Sequence, residues 1–228
     1  MTKHLVFLTG AGMSQESGIA TFRDSDGLWE GHDVMEVASP WGFEAQPDLV
    51  LDFYSQRRKN VMESEPNDGH RIIAELEQDF DVSVVTQNVD DLHERGGSSK
   101  VLHLHGEIMK SRSVGDGAVY DLDHWELKRG DLCPNGHQLR PHIVWFGEQV
   151  PMIEPAAEIV ASADIVVVVG TSLVVYPAAG LVDLAPPGTP MYIIDPRRPE
   201  IMPKPHITFI ETKACEGLCR LRDMLRSA

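Results

Sequence analysis

His4-Leu5-Val6-Phe7-Leu8-Thr9-Gly10-Ala11-Gly12-Met13-Ser14-Gln15-Glu16-Ser17-Gly18 is the stretch on which the fold assignment turns. An apolar run of strand length stops at a Gly-Ala-Gly turn and passes into the start of a helix. That arrangement brings backbone N–H groups to a helix N-terminus, where a pyrophosphate can sit. The dinucleotide fingerprint G-x-G-x-x-G is incomplete, since Gln15 holds the third glycine position and no acidic residue closes a second strand at the usual distance. An ordinary dehydrogenase is therefore disfavoured, and glycines in such a turn also serve packing alone.

Outward from that stretch, Val82 to Thr86, Val101 to Leu104, Asp164 to Gly170, Pro190 to Ile194 and Ile207 to Ile210 read as further buried strands. Ile165-Val166-Val167-Val168-Val169 is a continuous β-branched run, as expected in a parallel sheet covered on both faces. Ile72, Ile73, Leu76 and Phe80 repeat at helical spacing after the start signal Pro66-Asn67-Asp68, and Leu218, Leu221 and Leu225 do so near the end. Strand alternating with helix predicts a doubly wound, Rossmann-like α/β fold. Residues 25–66, with a helix expected over Asp48 to Met62, and residues 107–142, rich in Gly, Asp and Arg, break the rhythm. Both leave and rejoin the alternating pattern. The expected division is thus a core of 1–24, 67–106 and 143–228 and a smaller lobe of 25–66 and 107–142. The cleft between the lobes is the natural ligand site.

A chain of 228 residues can bury one substantial core with a small satellite. No apolar run approaches bilayer length and the N-terminus lacks a signal-peptide pattern, so a cytoplasmic protein without a membrane partner is expected. The formal charge of −15 argues against a general nucleic-acid partner, because such binding needs Lys and Arg to neutralise phosphates. Cys133, Cys215 and Cys219 are too few and too oddly spaced for a disulfide framework.

Three strand ends carry the candidate chemistry, as strand ends of open α/β sheets commonly do. Thr86-Gln87-Asn88-Val89-Asp90-Asp91-Leu92-His93 offers two amides and a carboxylate, able to hold a ribose, an amide or a water, although Asn88 or Asp90 also suits a helix cap. In His103-Leu104-His105-Gly106-Glu107 the histidines share a face by period-two alternation. They could bind a metal together, or divide into a buried histidine and an exposed base. His105, followed at once by Gly106, is the stronger candidate for a base of near-neutral pKa. Gly170-Thr171-Ser172-Leu173-Val174-Val175-Tyr176-Pro177 adds a second small-residue turn with hydroxyls.

Gly10-Ala11-Gly12-Met13-Ser14 continuing through Ser17-Gly18-Ile19 to Phe22-Arg23, then Thr86-Gln87-Asn88-Val89-Asp90, His103-Leu104-His105-Gly106, Val144-Trp145-Phe146-Gly147-Glu148 and Gly170-Thr171-Ser172 follow one another across nearly the whole chain. Together they resemble the sirtuins, NAD-dependent protein lysine deacylases. Each block is weak alone, while the joint match is specific. The resemblance implies NAD in the cleft with its pyrophosphate at Gly10, Ala11, Gly12 and Ser14, and with Phe22 and Arg23 closing over the reacting ribose beside Thr21. Asn88 and Asp90 accept the nicotinamide side, with Gln87 and Val89 as neighbouring cofactor positions. Gly170, Thr171, Ser172, Asp195 and Ala214 hold the adenosine, although Asp195 stands where the family more often has an Asn.

The resemblance also implies the reaction. Nicotinamide departs as the acyl oxygen of a modified lysine attacks the anomeric carbon, giving an alkylamidate. His105 is the general base, working through ribose hydroxyls, with Asn88 as the second catalytic position. Water completes the transfer, yielding free lysine, nicotinamide and an O-acyl-ADP-ribose. Such a step needs a dry, aligned pocket and one base poised near neutrality. Val144, Trp145, Phe146 and Gly147 receive the substrate peptide as an added strand. Acylated lysines on proteins or peptides are therefore the implied partners of a monomer or weak oligomer.

Tyr54 and Arg57 fall on one helical face of the first insertion. A phenol and a guanidinium converging on an acyl pocket suit a carboxylate, and sirtuins that prefer succinyl, malonyl or glutaryl lysine carry this Tyr-x-x-Arg pair. Desuccinylation and demalonylation are expected ahead of deacetylation, with Arg58 as the competing guanidinium. Sirtuins usually hold a structural zinc with two Cys-x-x-Cys pairs, which this chain lacks. Cys133, His137 and His124 have no paired-ligand spacing, so no zinc is expected. Three rivals share the cleft: a plain deacetylase, a non-catalytic NAD sensor and an ADP-ribosyltransferase.

Overall fold

The computed structural model describes residues 2–20, 28–29, 31–198 and 204–227. Strand β1 (His4–Thr9) is followed by two single 3-10 turns, Ala11–Met13 and Gln15–Ser17. The α-helix expected after the Gly-Ala-Gly turn is therefore replaced by tighter, shorter turns. A two-stranded ribbon, β2 (Leu28–Trp29) and β3 (His32–Asp33), leads to helices α1 (Val34–Val37), α2 (Pro40–Ala45) and α3 (Pro47–Glu63). Asp33 caps α1 by accepting from the Met35 amide at 2.7 Å, and Ser39 caps α2 by accepting from Gly42 at 3.0 Å. Pro opens α2 and α3, where its missing N–H leaves no bond unmade.

Helix α4 (Asp68–Glu75) starts at a capping box, in which the Asn67 side chain accepts from Gly69 and His70 while His70 Nδ1 accepts from the Asn67 amide. The same Asn67 side chain donates to the Met13 carbonyl at 2.9 Å and the Ser17 hydroxyl at 3.1 Å, tying the glycine-rich loop to α4. Then come β4 (Asp81–Thr86), α5 (Leu92–Arg95), β5 (Val101–His103), β6 (Gly106–Ser113), β7 (Val119–Asp121), β8 (Leu139–Ile143), α6 (Ile153–Ala161), β9 (Ile165–Val169), β10 (Met191–Ile194), β11 (Ile207–Ile210) and α7 (Ala214–Arg226).

The main sheet runs β11-β10-β9-β1-β4-β5, every neighbouring pair parallel. Counted along the chain, its six strands fall in the order 3-2-1-4-5-6, which reverses between β1 and β9. Side-chain alternation divides β1 between two cores. Leu5 and Phe7 pack with Ile73, Leu76, Leu218 and Leu221 from α4, α7 and the turn after α4. Val6 and Leu8 pack with Ala156 and Val160 of α6 and with Leu181 on the other face. Each of these Val, Leu, Ile and Phe side chains contributes about 1.5–3 kcal/mol on burial. This is the doubly wound architecture the strand pattern predicts. No helix among the described residues is long and apolar enough to cross a membrane.

The two insertions meet in a third core. Val37, Val50, Phe53, Tyr54 and Val61 from the helical stretch pack with Ile108 from the start of the second stretch and with Ile143 and Trp145 just past its end. Residues 107–142, which show little sequence periodicity, are organised around the antiparallel sheet β7-β6-β8. Its irregular register between Gly106 and Ser111 explains why alternation is hard to read there. Arg58 joins the insertions: fully buried, it donates through Nε to Ile108 O at 2.6 Å and through Nη1 to Trp125 O at 2.7 Å. Arg58→Met leaves both carbonyls without their donor and is expected to lower unfolding free energy by about 1–3 kcal/mol. A fall in the urea midpoint at unchanged slope checks this.

Candidate functional site

Thr9 pairs with Thr86 on one side and Val169 on the other, so β1, β4 and β9 end level where the strand order reverses. Three loops leave that level together. Gly10 N donates to Val169 O at 3.0 Å and Gly12 N to Gly170 O at 2.9 Å. A Cβ on Gly12 would stand 2.7 Å from Gly170 Cα, and one on Gly10 would stand 2.8 Å from Thr171 Cβ. Glycine is thus required at both places for close backbone approach. The amides of Met13 and Ser14 also bond inside the loop. The row of bare N–H groups expected here is therefore largely engaged already.

From the end of β4, Thr86 Oγ1 accepts from Thr9 Oγ1 at 2.8 Å and from the Asn88 amide at 3.0 Å. Asn88 Nδ2 donates to Ser14 Oγ at 3.0 Å, and Ser14 in turn donates to Asp90 Oδ2 at 2.9 Å. Asp90 also accepts from Leu92 N at 3.2 Å, which makes it a turn-stabilising residue as well as part of the cleft. Burial raises its pKa above the usual carboxylate range, with the Ser14 and Leu92 bonds opposing. Gln87 Nε2 donates to Thr171 Oγ1 at 3.1 Å, closing the ring of loops.

The two histidines after β5 separate. His103 sits between two acceptors, Asn88 O at 3.0 Å and Glu94 Oε1 at 2.8 Å. Burial lowers its pKa, but the Glu94 contact outweighs this and the net shift is upward. His105 Nδ1 lies 3.1 Å from Gln87 O. A carbonyl only accepts, so Nδ1 carries the proton and Nε2 holds the lone pair. Burial lowers the His105 pKa against the opposing pull of the Gln87 carbonyl, which keeps that lone pair available at neutral pH.

A cavity of about 280 Å³ gathers most of these groups: Gly10, Ala11, Ser14, Gln87, Asn88, Val89, Asp90, His105, Gly170, Thr171 and Ser172. Its other wall is Tyr54, Arg57, Val144, Trp145, Phe146 and Gly147. Gly12 stands behind the wall against Gly170, while Asp195 and Ala214 lie outside the cavity lining. Thr21, Phe22 and Arg23 fall outside the described residues. The amides of Val144, Trp145 and Phe146 bond to His105 O, Glu148 Oε2 and Ala38 O, so an added strand must use other backbone groups of that segment. A groove of about 670 Å³ on the small lobe is roomier, but it has neither the histidine nor the amides.

Tyr54 and Arg57 reach the same cavity from one face of α3, Tyr54 fully buried and Arg57 nearly so. The Arg57 guanidinium lies 4.2 Å from the Trp29 ring centroid, a cation–π contact that orients it. Arg58, the competing guanidinium, is committed to the carbonyls that join the insertions. Sequence reasoning leaves Ile19, Trp29, Ala38 and Val61 out of the lining. Ile19 lies in the first motif block but is given no site role there, and Trp29, Ala38 and Val61 are residues without motif character that no spacing signal distinguishes from core.

Residues 10–177 match the Sir2 family. The chain belongs to that family. An NAD-dependent protein deacylase of Bacteroides thetaiotaomicron is 50% identical over 229 residues, covering 98% of each chain. One from Helicobacter pylori is 55% identical over 198 residues, covering 86% of this chain and 85% of its own. Among solved structures, a Sir2 homolog–NAD complex superposes with a TM-score of 0.90 at 38% identity, covering 99% of this chain and 90% of that one.

Behind this Sir2-family cleft, His93 Nε2 donates to Thr9 Oγ1 at 3.0 Å and its ring meets that of His70 at 4.9 Å. Both rings are neutral: burial holds His70 at about 4 and His93 well below its ordinary value. A histidine whose folded pKa is depressed binds its proton only in the unfolded chain, so stability is present above the ordinary pKa of 6.5 and drains away as pH falls toward 4. Between pH 7 and pH 5, urea unfolding of wild type should therefore lose roughly 2 kcal/mol more than unfolding of His70→Gln.

Proposed function

We propose that this chain is an NAD-dependent protein lysine deacylase that favours acidic acyl groups, succinyl and malonyl, over acetyl. The observation that carries the reading is the shared cavity: Tyr54 and Arg57 face the same space as His105, Asn88 and Asp90. NAD, when bound, supplies a sugar carbon that becomes electrophilic as nicotinamide leaves. The donor set fits it. Small residues at Gly10, Ala11 and Gly170 allow close approach, and Ser14, Gln87, Asn88, Thr171 and Ser172 offer hydroxyls and amides.

Within that reading, each residue has a defined task. Asn88 is held by Ser14 and Thr86, so its side-chain oxygen keeps one orientation for the nicotinamide side. His105 presents Nε2 as the proton acceptor. The apolar wall of Ile19, Ile143, Val144 and Trp145 limits water at the reacting centre. Arg57, stacked on Trp29, pairs with the terminal carboxylate of the acyl chain. Val144 to Gly147 lie beside the substrate peptide.

Peptides bearing succinyl, malonyl and acetyl lysine, each assayed with NAD, test the reading. Wild type is expected to consume NAD with a higher kcat/KM on the acidic groups. Arg57→Met should lower the succinyl-to-acetyl ratio at least tenfold, because the desolvated carboxylate loses its charged partner. His105→Ala should abolish turnover of all three. Equal losses on succinyl and acetyl peptides from Arg57→Met would favour a plain deacetylase, and label from NAD retained on a protein acceptor would favour ADP-ribosyl transfer.

The tip of the small lobe is, on this reading, zinc-free. Cys133 is buried and contacts Ser113 Oγ at 3.5 Å, Asn135 donates to Asp116 at 2.7 Å, and the His137 ring packs over Gly115. His124 pairs instead with the neighbouring Asp123. No metal-binding group of three or more His, Cys, Asp or Glu occurs among the described residues, and one thiol does not fit a four-ligand zinc site. Purified protein should hold no stoichiometric zinc by elemental analysis, and a chelator should leave its unfolding midpoint unchanged.

A further inference from the structure

Tyr54 is fully buried, and Trp145 Nε1 donates to its hydroxyl oxygen at 3.1 Å. Among the described residues the phenol makes no other hydrogen bond, so its proton has no acceptor among them. A buried hydroxyl left in that state is costly unless something completes it. Burial also raises the Tyr54 pKa, with the Trp145 bond and the Arg57 charge opposing, so the group is a neutral phenol at every physiological pH. It can meet a ligand through its proton.

Trp145 is itself held by three residues. Its backbone amide donates to Glu148 Oε2 at 2.9 Å. The Arg140 guanidinium lies over its indole at 3.9 Å and donates to both Glu148 oxygens at 2.8 and 2.9 Å. Phe43 packs on it with ring centroids 5.3 Å apart. The indole N–H is consequently fixed in direction rather than free to choose another acceptor.

We propose that Trp145 is a specificity-determining positioning residue, whose indole N–H occupies the acceptor side of Tyr54 and thereby commits the phenol to donating to an acyl chain that ends in a carboxylate. The proposal rests on the acidic-acyl reading above. An acetyl group has no acceptor at its far end and leaves the phenolic proton unmatched. A succinyl or malonyl carboxylate takes it alongside Arg57. Without the indole donor, the hydroxyl would rotate freely between donating and accepting, and discrimination would fall while the ring still filled its place.

A double-mutant cycle on Trp145→Phe and Tyr54→Phe, read as the succinyl-to-acetyl ratio of kcat/KM, tests this. Trp145→Phe is expected to reduce the ratio about fivefold or more, mainly through KM for the succinyl peptide. In the Tyr54→Phe background the same change should have no further effect on the ratio. Independent effects in the two backgrounds, or a ratio unmoved by Trp145→Phe, would overturn the proposal. A wild type with no preference for succinyl would instead overturn the reading on which it rests. Should Trp145→Phe fail to fold, nitrogen-15 NMR of the indole proton in Tyr54→Phe decides. The Trp145 resonance should shift and lose protection from exchange there, and an unchanged resonance would contradict the hydrogen bond.

Discussion

Everything at the cleft depends on how closely two backbones approach where the sheet reverses its strand order. Gly12 donates to the Gly170 carbonyl with no room for a Cβ between them. Because β1, β4 and β9 end level, that single contact sets where the loops carrying Ser14, Asn88 and Thr171 can meet. A side chain at either glycine would have to displace backbone, which a packed core resists. The polar ring of Asn88, Ser14, Asp90, Gln87 and Thr171 is then a consequence of spacing already imposed by the glycines.

The sheet was legible because parallel strands buried on both faces write themselves as continuous β-branched runs, and Ile165 to Val169 does so without interruption. Most of the cleft was legible for a related reason: its polar groups cluster at strand ends, where residues such as Asn88 and His105 have no place in a core. The small lobe was harder. Strand β7 has three residues, and β6 pairs with β8 in broken register and carries polar residues on both faces, so alternation is diluted. The helix expected after Gly12 shrank to single turns because loop amides were drawn into bonds with Gly170 and with one another.

Adjacent arginines show what a linear pattern leaves open. Arg57 and Arg58 are neighbours on α3 and both are buried, yet one faces the cleft and the other the seam between the insertions. Helical geometry turns successive residues about 100° apart, so a one-position difference exchanges the cleft for two carbonyls. The Tyr-x-x-Arg spacing identifies which arginine shares a face with Tyr54. The bond from Trp145 to Tyr54 joins positions 91 residues apart, and no local spacing announces such a contact.

Asn67 does two things with one side chain: it starts α4 and it grips the loop after β1 through Met13 and Ser17. The loop is thereby stiffened before any ligand arrives, borrowing its order from the first turn of α4. A visitor to the cleft then faces less entropy loss in the protein than a floppy loop would impose. Weakening this tether would register as poorer retention of small molecules even where the global melting behaviour hardly changed.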